Sequence, residues 1–588
     1  MIKKLLKKLY ETTDYVDLKD DQYSLKSKYK IGKIELLNNY AQLKLLQNSV
    51  QKIFIEFDKL NGAYNNDTVL VQVLFNPKGK TKAKVLEVLQ RSDENILCYV
   101  KEQELFTVKE SVLIDCDNVN NQNGDLVIFK NGKITQKIGT VYDDLIDEKV
   151  SLYLYNEIDR LKPYSADIKE AVSNNRKDLR DLNFCTIDPV GAKDFDDAVY
   201  YDEKNKELYV AIADVSAYIK EGSELDLEAR KRAFSIYLPH KVLPMLPFEL
   251  SNNLCSLVPN EDRLAYVFKM KLDTKSFSVS SSELFEATIN SKRRYTYEEI
   301  DEILEQNDKE NYFVRFFNIT SKYRNKRLKN GYDFRNEQIR QELDEDHKLV
   351  GTSTEESTPS HSLIEECMLL ANQEAAKKLK TTGIFRVHEE PTNNKISKLI
   401  DDVNSLGIKA SLKSDIHSTI LSIQQKAQNV GLEKEVDELI IQSQQQARYD
   451  FKKLPHFGLG FNDYSHFTSP IRRYADLVLH RLLKGSKIPK DIEQICESIS
   501  ETERSIANLV WDFEDRKYAR WAQRNLNKTF NAGIVDTQKH IAVLEDTDFK
   551  GARVQIENYS GEKLFTKIRV KLKSSDLVSK KISAVITE

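Results

Sequence analysis

The sequence lacks the features that define several large classes of protein. Among its 588 residues there is no run of 18 or more apolar side chains, so nothing predicts a segment that spans a bilayer. Its six cysteines are scattered without a C-x-x-C pair, which excludes a small disulfide scaffold and indicates unpaired thiols in a reducing compartment. Neither charge dominates, because 89 basic residues face 92 acidic ones. The net charge therefore gives no indication of a nucleic-acid or membrane partner, and any basic groove must be a local feature of the surface.

What the sequence does contain is enough apolar material for several folded cores. Hydrophobic residues make up 40% and charged residues 31%, which excludes a wholly disordered or collagen-like chain. At roughly 150 residues per domain the length predicts about four domains. The first nine residues carry lysines and leucines at helical spacing but no continuous apolar core, which predicts an amphipathic helix rather than a signal peptide. We therefore expect a cytoplasmic protein.

Hydrophobic periodicity divides the chain into segments of different character. Short alternating runs with turn residues between them indicate strands near both ends, and long helical patterns dominate the centre. We expect a multidomain α+β protein in which small β-barrels flank a central α/β domain. The expected boundaries are 1–50 for a short N-terminal helical cap, 51–105 and 106–165 for two small barrels, 166–485 for the central domain, 486–526 for a helical connector and 527–588 for a C-terminal barrel.

The most informative stretch concentrates carboxylates between two predicted strands. Asp188, Asp194, Asp196 and Asp197 fall within ten residues, and the Pro-Val-Gly sequence at 189–191 predicts a turn that brings the first near the others. Like charges this close raise one another's pKa unless a cation is present. Oxygen-only ligation favours Mg²⁺, with Mn²⁺ as a second choice, and such an ion suits phosphodiester cleavage. The alternative is a solvated acidic turn, while an EF-hand loop fits the spacing less well.

A second stretch predicts an anion site. Thr468 or Ser469 would cap a helix with Pro470 in its first turn, and the free N–H groups would lie beside Arg472 and Arg473. Such a helix start suits a phosphate group. The alternative is that the two arginines form ordinary surface or structural ion pairs. No zinc-ligand spacing, Ser/His/Asp arrangement or Gly-rich nucleotide loop rises above chance.

Taken together, these stretches resemble the ribonuclease II/ribonuclease R family, the RNB-domain exoribonucleases. The family block D-x5-D-x-D-D is matched by the four aspartates, and the block T-S-P-I-R-R-Y-x-D-L-x-x-H-R is matched at 468–481. Two further family patterns lie between them, at 235–251 and at 364–372. The phrasing of the blocks is closest to the ribonuclease R branch.

The resemblance implies a fold and a reaction. It implies two cold-shock-type OB barrels before an RNB catalytic domain and one OB barrel after it. The implied reaction is processive, Mg²⁺-assisted hydrolysis of RNA from its 3′ end, with release of nucleoside 5′-monophosphates. The implied partners are single-stranded RNA 3′ ends and structured RNA that carries a 3′ overhang, bound by a monomer that needs no membrane.

The resemblance also assigns roles to residues. Asp188, Asp194, Asp196 and Asp197 would bind the metal, Asp196 would be essential for the chemical step, and Arg472 would neutralise charge on the phosphate. RNA contacts would come from Tyr237, Tyr297, Phe334, Glu366 and Arg473: Tyr237 and Phe334 would stack on the terminal bases, Tyr297 would lie near the scissile end, and Glu366 would contact the terminal ribose. Each aromatic could instead serve ordinary core packing.

Two other functions stay open at this point. One is a catalytically silent RNA-binding regulator on the same scaffold, which we would expect to have lost a metal carboxylate. The other is an Mg²⁺ phosphodiesterase that acts on DNA or on small nucleotides.

Overall fold

The computed structural model describes most of the chain. The described residues are 2–19, 22–37, 40–46, 52–74, 81–114, 116, 119–162, 164–165, 168, 175–334 and 337–587. Within these ranges, no helix combines the length and the apolar character needed to cross a lipid bilayer.

The N-terminal region is a helix followed by a closed five-stranded barrel. Its elements are α1 (Ile2–Thr12), β1 (Val16–Lys19), β2 (Gln22–Leu25), β3 (Tyr29–Leu36), β4 (Ala41–Leu45), β5 (Lys52–Ile55), β6 (Thr68–Leu74) and β7 (Lys82–Gln90). The barrel strands follow the order β3-β4-β5-β7-β6, the connectivity of an OB-type barrel. Leu6 and Leu9 of α1 pack against the outside of this barrel at Tyr29 and Leu70.

The expected helical cap over 1–50 is wrong beyond α1. Strands β3 and β4 belong to the first barrel, which spans 29–90 rather than 51–105. The cause is long-range pairing: β3 lies against β6 with Gly32 opposite Val69. Gly32 also packs against the neighbouring strand so closely that a Cβ there would approach the Lys44 carbonyl oxygen to 2.4 Å. A strand whose partner lies more than thirty residues away leaves only a weak local pattern.

A second β-structure follows. Its elements are β8 (Ile96–Lys101), β9 (Glu104–Thr107), β10 (Leu113–Ile114), β11 (Asp125–Lys130), β12 (Lys133–Thr140) and α2 (Ile146–Leu154). The strands form a five-stranded sheet in the order β10-β9-β8-β11-β12. The expected start at 106 is wrong, because Ile96–Lys101 pairs with β11 and not with the first barrel.

The central domain is built on a seven-stranded sheet with helices packed against it. Its strands are β13 (Lys177–Asp178), β14 (Cys185–Ile187), β15 (Asp197–Asp202), β16 (Glu207–Ala213), β17 (Ile236–Leu238), β18 (Lys241–Leu243), β19 (Asp262–Asp273), β20 (Ser278–Asn290), β21 (Arg293–Tyr295), β22 (Gln338–Leu343), β23 (Leu349–Glu355), β24 (Thr382–Val387) and β25 (Arg448–Lys452). Its helices are α3 (Glu224–Arg232), α4 (Tyr297–Glu305), α5 (Tyr312–Arg327), α6 (Pro359–Lys378), α7 (Asn393–Ser405), α8 (Ile416–Gln428), α9 (Glu433–Ser443) and α10 (Tyr474–Leu483). The sheet order is β13-β20-β19-β16-β15-β14-β21, and β17-β18, β22-β23 and β24-β25 are separate hairpins.

The C-terminal part consists of one long helix and a second closed barrel. Its elements are α11 (Ile492–Arg524), β26 (Thr529–Asp536), β27 (Ile541–Asp546), β28 (Phe549–Ile556), β29 (Lys567–Ser575) and β30 (Ile582–Thr587). The helix is more than a connector, since Leu509 and Phe513 are buried in the core of the central domain and Trp521 in that of the barrel. The expected fold class, small barrels that flank a central α/β domain, is confirmed.

Two buried ionic networks hold these parts together. In the first, which we call the Asp214 clasp, the Asp214 carboxylate lies 2.6 Å from both Arg176 and Lys484, so the two ends of the central domain meet on one anion. In the second, Asp147 of α2 accepts hydrogen bonds from Arg520 of α11 at 2.7 and 2.8 Å. Lys517 lies 3.0 Å from the same carboxylate. Removing one partner of such a buried network leaves an uncompensated charge, so both networks fix the relative positions of the parts they join.

Candidate active site

The acidic residues lie at one end of the central sheet. Asp188 directly follows β14, and Asp197 begins the antiparallel neighbour β15, so the loop between them returns to the same end. The expected turn is present, since the Ala192 N–H donates to the Pro189 carbonyl at 3.0 Å. The parallel strand β21 ends here too, and the Asp188 N–H donates to Tyr295 at 3.1 Å. Sheet topology therefore brings the carboxylates together.

Asp196 is buried and held by the second motif. Its side chain is about 5% exposed, and the Ile471 N–H donates to Oδ1 at 2.9 Å. The Arg472 Nε lies 3.5 Å from Oδ2, which has no hydrogen-bond partner among the described residues. Burial raises the pKa of Asp196 well above its usual range, and Arg472 opposes that shift. The carboxylate thus has one oxygen fixed by the backbone and one oxygen free to act.

The other three carboxylates lie near Asp196, close enough for the charges of these acids to act on one another. Burial, and then the charge of Asp197, raise the pKa of Asp188 to about 8, and Asp188 Oδ2 has no partner in the described chain. Burial raises the pKa of Asp197 to about 6 against the effect of Arg472. Asp194 accepts a 2.6 Å hydrogen bond from the Tyr237 hydroxyl. Mutual repulsion of this kind is the cost that a bound cation removes.

The donor set fits a hard divalent cation in kind. It offers carboxylate oxygens only, two of them buried without a partner, which suits Mg²⁺ or Mn²⁺ better than zinc. As the side chains stand, no group of three or more His, Cys, Asp or Glu residues in the described ranges is arranged so that it could hold a metal ion. Ligation would therefore require the carboxylates to turn toward one another.

The expected helix start at Thr468 or Ser469 is wrong. Helix α10 begins at Tyr474, and residues 470–472 form a turn. The backbone is extended at Arg473, which forms an isolated antiparallel bridge with Phe234. The Tyr474 N–H donates to the Ala233 carbonyl oxygen at 2.8 Å. The Ser469 N–H donates instead to a side chain of the first helical turn, the Asp476 carboxylate, at 2.7 Å. The backbone N–H that faces the acid site is therefore that of Ile471, which belongs to a turn and not to a helix end.

The two arginines have different environments. The Arg472 side chain is 45% exposed and makes a 3.1 Å hydrogen bond to Ser469, so it can turn toward a ligand. Arg473 donates two hydrogen bonds to Asp476 at 2.9 and 2.8 Å. Arg473 therefore forms a structural ion pair, as the alternative interpretation of the two arginines predicted.

The predicted RNA-contacting residues fall into two groups. Tyr237 and Tyr297 lie at the acids: Tyr237 bonds Asp194, while burial and then the charges of Asp197 and Asp188 raise the pKa of Tyr297. Phe334 packs instead on the cluster of α7, α8 and α9, with Tyr332 at a ring distance of 5.9 Å.

Glu366 is buried on α6 and accepts a hydrogen bond from Arg327 at 3.2 Å. Burial raises its pKa, and Arg327 opposes the rise. A cavity of about 270 Å³ lies beside this pair, between α5 and α6.

Sequence reasoning missed several residues that support the site. Arg294 donates to the carbonyl oxygens of Pro189 and Val190 at 2.5 and 2.6 Å and so holds the turn of the acidic loop. Ser256 accepts from the Phe195 N–H at 3.0 Å and donates to Lys193 at 2.8 Å. Of these supporting residues, only Asp476, which fixes Arg473, could have been found from the sequence, because it lies inside the family block matched at 468–481.

Comparisons with known proteins identify the family of the chain. The family model described as "RNB domain" matches residues 176–487, a range whose ends carry the two cations of the Asp214 clasp. Ribonuclease R of Helicobacter pylori is 32% identical over 616 residues, covering 97% of this chain and 94% of the relative.

Solved structures give the same result. RNase R of Mycoplasma genitalium, in complex with ribose-methylated single-stranded RNA, superposes with a TM-score of 0.80 at 26% identity, covering 95% of this chain and 100% of that one. The same protein in complex with double-stranded RNA gives 0.67 at 25% identity, covering 96% of each chain. Yeast Ssd1, a pseudonuclease, shares the fold at 16% identity, with a TM-score of 0.65 and coverage of 90% of this chain and 79% of that one. The resemblance found in the sequence is therefore confirmed, and the chain belongs to the RNB-domain family, in its ribonuclease R group of 3′→5′ exoribonucleases.

Proposed function

We propose that this protein hydrolyses RNA processively from the 3′ end and releases nucleoside 5′-monophosphates. The observation that carries the proposal is the environment of Asp196. One oxygen is held by the Ile471 N–H at 2.9 Å, the other is unpartnered, and a half-exposed Arg472 lies 3.5 Å away. A buried carboxylate beside a half-exposed cation, with three more acids nearby, is suited to phosphodiester cleavage.

Each acidic residue has a part in this reaction. Mg²⁺, or Mn²⁺, would be held by Asp188, Asp194, Asp196 and Asp197, and when bound it would activate water and neutralise phosphate charge. The Ile471 N–H fixes the orientation of the Asp196 carboxylate, so that its free oxygen faces the reacting group. Burial raises the pKa of three of the acids, Asp196 being buried and Asp188 and Asp197 half-buried, and reduced contact with solvent strengthens the charge interactions in the site.

The basic and aromatic residues bind the strand. Arg472 neutralises the negative charge that builds on the scissile phosphate, and Arg473, held by Asp476, adds to the positive potential there. Tyr237, 42% exposed, offers a ring face to a terminal base while its hydroxyl anchors to Asp194. Tyr297 and Phe334 supply further aromatic surface. Such stacking tolerates every base and so suits digestion without sequence preference.

Further assignments complete the proposal. Glu366 contacts the terminal ribose, where a 2′-hydroxyl distinguishes RNA from DNA. The flanking barrels guide a single strand toward the site, as OB barrels do through basic grooves. The protein acts as a cytoplasmic monomer, and it also degrades structured RNA that carries a 3′ overhang. The support for this last part is the relationship to ribonuclease R, one member of which has been solved with double-stranded RNA.

The direct test compares wild type with Asp196→Asn on 5′-labelled single-stranded RNA. With Mg²⁺, we expect the variant to digest RNA at least about a hundredfold more slowly. In EDTA it should bind the same RNA with an affinity close to that of wild type, because one acid fewer does not weaken attraction for a polyanion. The matched control is Asp308→Asn, which changes an exposed carboxylate that caps a local turn. Digestion by Asp196→Asn at the wild-type rate would overturn the assignment.

Two further outcomes discriminate the alternatives. If wild type binds RNA but digests none, the protein is a silent RNA-binding regulator, as the shared fold of a pseudonuclease allows. If wild type digests DNA or an RNA with a 2′-deoxy 3′ end equally well, it is a less specific phosphodiesterase. A duplex with a 3′ overhang tests the structured-RNA part: passage through the duplex supports it, and a stall at the duplex refutes it.

A further inference from the structure

Tyr297 is stacked on a histidine that no motif singled out. The rings of Tyr297 and His361 are 3.8 Å apart between centroids and 15° from parallel. Tyr297 is the first residue of α4, and His361 lies in the first turn of α6. The contact therefore joins two helix starts through residues that are 64 positions apart in the sequence.

Both residues lie at helix starts that are fixed by capping hydrogen bonds. Tyr297 follows Thr296, which caps α4 in a reciprocal arrangement with Glu299 at 3.2 and 2.9 Å. His361 Nδ1 accepts from the Thr358 N–H at 3.4 Å and lies 2.7 Å from the Thr358 hydroxyl. Accepting through Nδ1 places the ring proton on Nε2, which is 3.8 Å from a Glu355 carboxylate oxygen.

The two helix starts are also tied to each other directly. Ser360, next to His361, donates its N–H and its hydroxyl to the Asp301 carboxylate of α4 at 2.9 and 2.8 Å. The distance between the two rings is thus set by a hydrogen-bonded frame and does not depend on the rings alone. A ring fixed in this way can act as a wall that limits where its neighbour points.

Tyr297 also lies close to the acidic loop, because it follows Tyr295 by two residues and the Tyr295 carbonyl oxygen accepts from the Asp188 N–H at 3.1 Å. Burial, and then the charges of Asp197 and Asp188, raise the pKa of its phenol. Tyr297 is thus placed near the acid cluster, with its ring face against His361. A shift of the ring would change the gap that a terminal nucleotide enters.

We propose that His361 is a positioning residue, whose ring fixes the Tyr297 ring at the acid cluster so that the 3′-terminal nucleotide is held correctly for cleavage. The inference rests on the proposed function. It assigns to His361 no contact with the substrate, since its action passes through Tyr297.

The competing explanation is that His361 matters only for the start of α6. Its position, three residues after the capping Thr358, is the one that Glu or Gln occupies in an ordinary capping box. This gives a pair of variants with opposite expectations. His361→Gln keeps a side chain suited to the cap and removes the ring, whereas His361→Phe keeps a ring and removes the cap acceptor.

The experiment measures kcat and KM on 5′-labelled RNA and the melting temperature of each variant. For His361→Gln we expect kcat to fall by about 10- to 100-fold, because a misplacement of about 1 Å costs up to that much, while the melting temperature stays near that of wild type. His361→Phe should recover most of the lost kcat and melt at a lower temperature. The reverse pattern, with full activity in His361→Gln and loss in His361→Phe, would overturn the proposal.

Two more measurements complete the test. If His361 acts through Tyr297, the double variant His361→Gln/Tyr297→Ala should be no slower than Tyr297→Ala alone, and additive losses would contradict the proposal. In EDTA, where nothing is digested, an RNA with 2-aminopurine as its 3′ nucleotide reports the terminal base. His361→Gln and Tyr297→Ala should change its fluorescence alike, and His361→Phe should not. This readout decides the role of His361 even if wild type proves inactive, which would overturn the proposed function alone.

Discussion

Replacing Arg472 tests how much the positioned cation contributes to cleavage. Its guanidinium lies 3.5 Å from Asp196, and its side chain is 45% exposed. Among the described residues it donates a side-chain hydrogen bond to Ser469 alone. The side chain can therefore turn toward a phosphate and give up only a half-exposed contact at 3.5 Å. We expect Arg472→Ala to fold normally and to fail at the chemical step.

The size of the effect follows from distance and screening. At an effective dielectric constant of about 20, two unit charges 3.5 Å apart interact by about 5 kcal/mol. Because nearly half of the side chain is exposed, solvent reduces that interaction. Loss of one positioned donor in an active site costs about 2.7–4 kcal/mol, a factor of about 10² to 10³. We expect kcat to fall within that range in Arg472→Ala, and less in Arg472→Lys, which keeps the charge but not the planar fork.

The assay is single-turnover digestion of 5′-labelled RNA at saturating enzyme, so that binding does not limit the rate. The matched control is Arg230→Ala, which removes an arginine of similar exposure that pairs with Asp491 at 2.6 Å elsewhere in the domain. Such a surface pair contributes about 0–1 kcal/mol, so the control should digest at nearly the wild-type rate. If Arg472→Ala also did so, or if the two variants lost activity equally, the role assigned to Arg472 would be refuted.

Three further changes have defined outcomes. Burial acts to raise the pKa of Asp214, but Lys484 and Arg176 outweigh it and lower the pKa from 3.8 to about 2. Ionisation of Asp214 therefore contributes about 2 kcal/mol to the free energy of unfolding at neutral pH. This contribution is lost as the pH falls from about 4 towards 2. Asp214→Asn should accordingly destabilise the protein by about 3–5 kcal/mol in urea unfolding at pH 7, and an unchanged midpoint would contradict the clasp. Tyr237→Phe removes the 2.6 Å hydrogen bond to Asp194 but keeps the ring; kcat should fall by about tenfold with little change in RNA affinity, whereas an unchanged kcat would show that only the ring matters. Asp147→Asn leaves the buried Lys517 without its anion, so hydrogen exchange should rise at α2, and exchange equal to wild type would exclude the docking role.

The parts of the site that were predictable are local in sequence. The acidic loop spans ten residues, and its turn at Pro189 is dictated by residue type, so a crowded carboxylate site could be proposed without a structure. Arg472 could be expected near it because both stretches match blocks of one known family, and the Arg472 Nε lies 3.5 Å from Asp196 in the structure. The roles of individual residues at that site remain predictions until they are tested.

The parts that were missed depend on distant segments of the chain. Helix α10 starts late because residues 233–235 pair with residues 472–474, and the Ser-Pro sequence carries no information about that contact. The predicted bounds of the first barrel were wrong for a similar reason, because β3 pairs with the distant strand β6. The His361 stack needs two helix starts to meet in space, and a lone histidine carries no signal for that.

Identification of the released nucleotide tests the central claim most directly. An RNA labelled in its 3′-terminal nucleotide is incubated with the wild-type protein and Mg²⁺, and the earliest products are separated by chromatography. The account predicts that the label appears first as a nucleoside 5′-monophosphate, with Asp196→Asn releasing none above background. Release of a 3′-monophosphate, or of labelled oligonucleotides from internal cuts, would contradict it.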